Sequence, residues 1–141
     1  MMTSARASLP LLLLMILAVA GCKMVDTIKE KQLGVELEDH LKGYQAALRW
    51  GRIEDAYGFL KPEIARQVVL PKGLENIRVT QYRVIKPPTF GSKTTATQTV
   101  AISYILIDRQ VEHTLIDNQI WQRESEQAVE WYRVNPIPEF K

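Results

Sequence analysis

Residues 9–20, LPLLLLMILAVA, are an unbroken apolar run of 12, and this run divides the chain. At ~1.5 Å per helical residue it spans about 18 Å, well short of the ~30 Å hydrocarbon core of a bilayer. It therefore reads as the hydrophobic region of a secretory signal and not as a transmembrane helix. Residues 1–8 before it carry one cation, Arg6, and no acid. Removing residues 1–21 from the 141 leaves 120, the size of one domain. A domain of that size buries roughly 60–70% of its unfolded surface and needs no disulfide or metal to fold. With 18 Lys+Arg against 16 Asp+Glu, the charge balance argues against a nucleic-acid binder. Charged residues at 24% and apolar residues at 46% exclude wholesale disorder and a multi-span membrane protein. The single cysteine, Cys22, excludes an intramolecular disulfide framework and a cysteine-cluster zinc site.

The run ends in Val19-Ala20-Gly21-Cys22, small residues leading into the lone cysteine. This resembles the lipobox of bacterial lipoproteins, with Val19 where leucine is commoner. The resemblance implies that signal peptidase II recognises Val19, Ala20 and Gly21 and cuts before Cys22. It also implies that the Cys22 thiol carries a diacylglyceryl group and that the membrane is a partner through this anchor. Two or three acyl chains hold a protein stably, at ~0.8 kcal/mol per buried CH₂, where one holds it only marginally. Lys23 after the cysteine implies the outer membrane, facing the periplasm, in a Gram-negative cell; in a Gram-positive cell the anchor is the plasma membrane. The expected organisation is a signal peptide over 1–21, a lipidated tether over 22–26 and one domain over 27–141.

Thr27-Ile28-Lys29-Glu30 has the form of a capping box, which predicts a helix starting about five residues after Cys22 and a domain held close to the bilayer. Leu33, Leu37, Leu41, Tyr44 and Leu48 form one apolar stripe on a 3.6-residue period. Gly34 weakens that helix, and Gly51 is placed to close it in the left-handed conformation. A second short helix is predicted over Ile53–Leu60, with Ile53, Ala56, Tyr57 and Leu60 inward. A third starts at Pro62 and runs to about Leu70, ended by Pro71-Lys72-Gly73. The period then changes to strands: 76–86, 94–108, 111–124 and 129–135, with a loop at 87–92 and a tight connection near Ser125-Glu126-Gln127. The expected fold is α+β, a long N-terminal helix and two short helices packed on a curved four-stranded antiparallel sheet.

Two segments carry a further resemblance. Residues 44–63, YQAALRWGRIEDAYGFLKPE, and the ending Ile120-Trp-Gln-Arg-Glu with Val129-Glu-Trp-Tyr-Arg-Val134 are similar to the nuclear transport factor 2-like (cystatin-like) superfamily. That resemblance implies a cone, with the sheet wrapped around the long helix. The superfamily includes isomerases and dehydratases, small-ligand binders and protein-binding modules, so fold does not choose among functions.

Glu36 and His40 share a helical face, but no third ligand accompanies them, and no metal or cofactor is expected. Asp108 and Asp117 follow apolar strand residues, and a carboxylate inside a hydrophobic cone can act as a general base. Tyr44, Tyr57, Tyr82 and Tyr104 are the tyrosines that could assist it. Asp108 abuts Arg109 at a turn, however, and Asp117 stands beside Asn118 in a strand with one polar face, so no catalytic residue is assigned. The aromatic residues of the last hairpin are more informative. A turn centred on Glu126 places Trp121 opposite Trp131 and Ile120 opposite Tyr132. Such pairs stabilise a sheet by roughly 0.2–1 kcal/mol, as core or as a binding face. Tyr44, Tyr57, Tyr104, Trp121, Trp131 and Tyr132 are the candidate pocket or interface residues. The expected function is binding of a partner protein or of a small apolar ligand in the cone, with a homodimer through the sheet face as the form of self-association. The alternative is a small isomerase or dehydratase of the ketosteroid isomerase type.

Overall fold

A computed structural model describes residues 9–141, with side chains from Lys23 onward. The side chains of Val19, Ala20, Gly21 and Cys22 lie outside the described residues. Helix α1 spans Leu9–Trp50, a 3-10 helix Ile53–Phe59, α2 Pro62–Ala65 and a second 3-10 turn Leu74–Asn76. Four strands follow: β1 Ile77–Ser92, β2 Thr95–Leu106, β3 Val111–Gln122 and β4 Tyr132–Arg133. The chain divides into two compact units, Met1–Val35 and Glu36–Lys141.

In the first unit α1 passes through Thr27 without a break, so the predicted capping box is not a helix start. The Thr27 hydroxyl donates to the Lys23 carbonyl at 3.0 Å, the back-bond that threonine makes inside a helix.

In the second unit α1 presents Leu37, Leu41, Tyr44 and Leu48, all buried, as the periodicity predicts; Leu33, the first residue of the predicted stripe, falls in the first unit and is half-buried. Its end corrects one expectation. Gly51 does not take the left-handed conformation; among the described glycines Gly73 does, at φ 83°. Gly51 is required for space instead. Its N–H reaches the Ala46 and Ala47 carbonyls, and a Cβ there would stand 2.8 Å from the Ala47 oxygen.

The 3-10 helix buries Ile53 and Ala56, and Leu60 after it is also buried. Helix α2 starts at Pro62 as predicted but ends at Ala65, not near Leu70. The β-branched pair Val68-Val69 and the restriction that Pro71 places on Leu70 stop its propagation.

The sheet is open and antiparallel, in the order β1-β2-β3-β4. β1 is longer than predicted and carries Pro87 and Pro88 inside it. Its register jumps from Lys86↔Thr99 to Thr89↔Thr97, so both prolines fall in an irregularity of an edge strand, where their missing N–H costs no ladder bond. β2 and β3 pair without interruption from Thr95↔Gln122 to Leu106↔Val111. Asn76 and Asp108 brace the far end: the Asn76 amide donates to the Asp108 carboxylate at 2.8 Å, and the Asp108 N–H donates to the Asn76 side-chain oxygen at 3.0 Å.

The last hairpin differs most from expectation. Trp121 pairs with Arg133 and Gln122 with Tyr132; Trp121 is not opposite Trp131, nor Ile120 opposite Tyr132. The connection is not a tight turn at Glu126 but the whole segment 123–131. Arg123 fixes it, donating from Nε to the Lys93 carbonyl at 2.7 Å and from a terminal nitrogen to the Ala128 carbonyl at 3.0 Å. A slip of two residues keeps every side chain on its predicted face, because the pleat has period two. Trp121 and Trp131 are accordingly both buried.

Candidate functional site

Alternation along β3 turns Leu115, Asp117, Gln119 and Trp121 to one face and Thr114, Ile116, Asn118 and Ile120 to the other. Tyr44 of α1 lies against the first face, edge-on to Trp121 with ring centroids 5.7 Å apart; Phe59 stands edge-on to both rings. Asp117 is therefore on the inner face and 1% exposed. The strand's polar character next to Asn118 predicts a wet position, but Asn118 belongs to the opposite face.

A buried carboxylate needs compensation, and Arg133 supplies it. One terminal nitrogen donates to Asp117 Oδ1 at 2.6 Å; the other donates to Oδ2 at 2.8 Å and to the Tyr44 hydroxyl at 2.8 Å. The remaining donors reach the Asn135 and Pro136 carbonyls. Around this pair, Gln119 donates to Asp117 Oδ2 and to the Tyr82 hydroxyl, both at 2.9 Å. Its own carbonyl oxygen accepts the Trp121 indole N–H at 3.1 Å. The register of β4 follows from this chemistry: pairing Arg133 with Trp121 carries the guanidinium onto Asp117.

Burial and neighbouring charge shift the pKa of Tyr44, Tyr82 and Arg133. Burial pushes the Tyr44 hydroxyl well above the usual tyrosine range, against the opposing pull of Arg133. Burial also pushes Tyr82 up to about 12, although the Gln119 hydrogen bond works the other way. Desolvation alone would lower Arg133, but its bonds to Asp117 and its closeness to Tyr44 leave it above its ordinary value. Chemically this is a held ion pair. Both oxygens of Asp117 already accept from a cation, so the carboxylate is not poised as a free base.

The other predicted site residues fall elsewhere. Tyr104 is buried in a separate cluster: it stacks on His113 at 5.3 Å, meets Phe140 edge-on, and its hydroxyl donates to the Lys141 carbonyl at 2.8 Å. Trp131 lies under the Arg123 guanidinium and beside Phe90. Its indole nitrogen is, among the described residues, the buried side-chain atom that lacks a hydrogen-bond partner. Tyr57 and Tyr132 are half-buried. Asp108 lies in the β2–β3 turn, as its neighbour Arg109 suggests. His40 bonds the Glu36 carbonyl at 2.8 Å and the Glu130 carboxylate at 3.0 Å, and no metal-holding cluster is present among the described residues. Arg133 and Gln119 were not singled out by sequence. Period-two spacing with Asp117 and Trp121 is the signal that could have found Gln119.

The outer face of the sheet has a different character. Ile116 and Ile120 are exposed there. Ile116 lies across the buried Ala101 of β2 from Arg83 of β1, Ile120 lies across Thr97 from Thr89, and Lys86 lines up with Thr99 and Asn118 between them; Arg83 and Lys86 are exposed. Among the described residues no helix is long and apolar enough to cross a membrane. Compared with protein-family models, with curated proteins and with solved structures, the chain matches none.

Proposed function

We propose that this chain is a lipid-anchored protein of the bacterial cell envelope whose single domain, on a cone-like nuclear transport factor 2-like plan, binds a protein partner through the outer face of its sheet. Anchoring through Cys22 rests on the Val19–Cys22 box, the apolar run before it and the absence of any other cysteine. In a Gram-negative cell Lys23 directs the anchor to the outer membrane, with the domain facing the periplasm.

One observation carries the choice of a binding module: the inner face is occupied by its own side chains. Tyr44, Trp121 and the Asp117–Arg133 pair are buried against one another on that face, which favours recognition at the other face over a ligand held in a cone. The outer face instead exposes Ile116 and Ile120 on β3 and, across β2, the cations Arg83 and Lys86 on β1, apolar residues with charge at the margin, which is how protein interfaces are built. A second copy of the chain is one occupant of that face, which would make a homodimer.

Site-specific photocrosslinking from position 116 in cells tests this. A discrete crosslinked species is expected, at twice the chain's mass if the partner is a second copy. The crosslink should disappear with Ile120→Glu while the fold persists. Diffuse or no crosslinking from 116, with the domain folded, would contradict the proposal.

A further inference from the structure

The first unit carries an apolar arc that the fold does not use. At about 100° per residue, Met24, Ile28 and Val35 fall within about 40° of one another, with Val25 at the border. All four are exposed, at 69, 59, 57 and 50%. Gln32 is the polar residue inside this arc, and Lys31 and Lys29 lie just outside its two edges. The acids Asp26 and Glu30 lie on the opposite side of the helix. The segment 24–35 is thus amphipathic, with Lys29 and Lys31 at the boundary, where their stems can reach along an apolar surface while the ammonium stays in water; Lys23 lies on the side of the acids. The segment 23–35 also follows immediately on the cysteine that we read as acylated.

We infer that the segment 23–35 of α1 lies in a lipid surface, with Met24, Val25, Ile28 and Val35 among the acyl chains, Lys29 and Lys31 at the headgroups, and Asp26 and Glu30 toward water. The inference rests on acylation of Cys22. Two features favour lipid over another protein as the occupant. The anchor holds this helix at the bilayer, which raises its local concentration there. Basic residues flanking an apolar arc, with the acids turned away, match an interfacial helix. The segment is therefore not a bare tether but a second attachment that fixes how the chain leaves the membrane.

The test uses the full acylated protein reconstituted in phospholipid vesicles, with a nitroxide label on Ile28→Cys or on Glu30→Cys, since acylation blocks Cys22 itself. The label at 28 should be several-fold more accessible to dissolved oxygen than to a water-soluble relaxing agent, and the label at 30 should show the reverse. Equal water accessibility at both positions, on a chain whose intact mass shows acylation, overturns the interfacial helix and leaves the lipoprotein reading standing. Spin–spin coupling between copies labelled at 28 also overturns it, because the arc then packs on a second chain. A mature chain without acyl groups takes both down.

Discussion

Asp117 shows at the residue scale why a buried charge says more about constraint than about catalysis. Its carboxylate stays inside because Arg133 meets it with two bonds and Gln119 adds a third. Asp117→Asn should therefore cost about 3–5 kcal/mol in a denaturant titration, since the guanidinium loses its counter-charge while remaining buried. Replacing both members with apolar residues of similar volume should cost much less, which identifies the lone charge as the source of the loss. Tyr82 supplies a pH test. Its folded pKa, about 12, lies above the unfolded value near 10, so the folded state keeps a proton that the unfolded chain gives up. Its contribution to stability is complete below about pH 10. That contribution is lost as pH rises toward 12, at roughly 1.4 kcal/mol per unit. Tyr82→Phe should flatten that part of the stability–pH curve relative to wild type; identical slopes would show that the hydroxyl is not shielded. The carboxylate itself was visible in the sequence, but its partner was not. Asp117 and Arg133 are sixteen positions apart, and only the strand register brings them together.

At the scale of elements, sequence was legible wherever the signal was local. The stripe Leu37, Leu41, Tyr44, Leu48 follows from a 3.6-residue period, and all four are buried. Leu41→Ala should accordingly cost roughly 2–5 kcal/mol, and Lys42→Ala, one position on and exposed, roughly 0.5 kcal/mol or less. Equal losses in urea would mean that the stripe does not face the core. The α+β order, the start of α2 at Pro62 and the four strands were legible for the same reason. The terminal hairpin was not. Matching Trp121 with Trp131 assumes that the shortest turn wins, whereas Arg123 spends its donors on the Lys93 and Ala128 carbonyls and holds a long connection open. Those bonds join residues that no local pattern links. The prolines of β1 misled in the opposite direction, because Pro87-Pro88 signals a loop unless the strand is known to be an edge.

At the scale of the whole molecule, the two faces of the sheet divide the work. The inner face is committed to stability through the Asp117–Arg133 network and the tryptophans. Ile116, Ile120, Arg83 and Lys86 are exposed on the outer face, where we propose that a partner binds. The proposed recognition requires the domain to be held where a partner is, and the proposed acylation of Cys22 would supply that hold. Intact-mass measurement of the protein recovered from the membrane fraction tests that claim most directly. A mature chain that begins at Cys22 and carries acyl groups is expected, giving way to an unprocessed, unacylated precursor in Cys22→Ser. A mature chain that begins at another residue and bears no acyl group would contradict it.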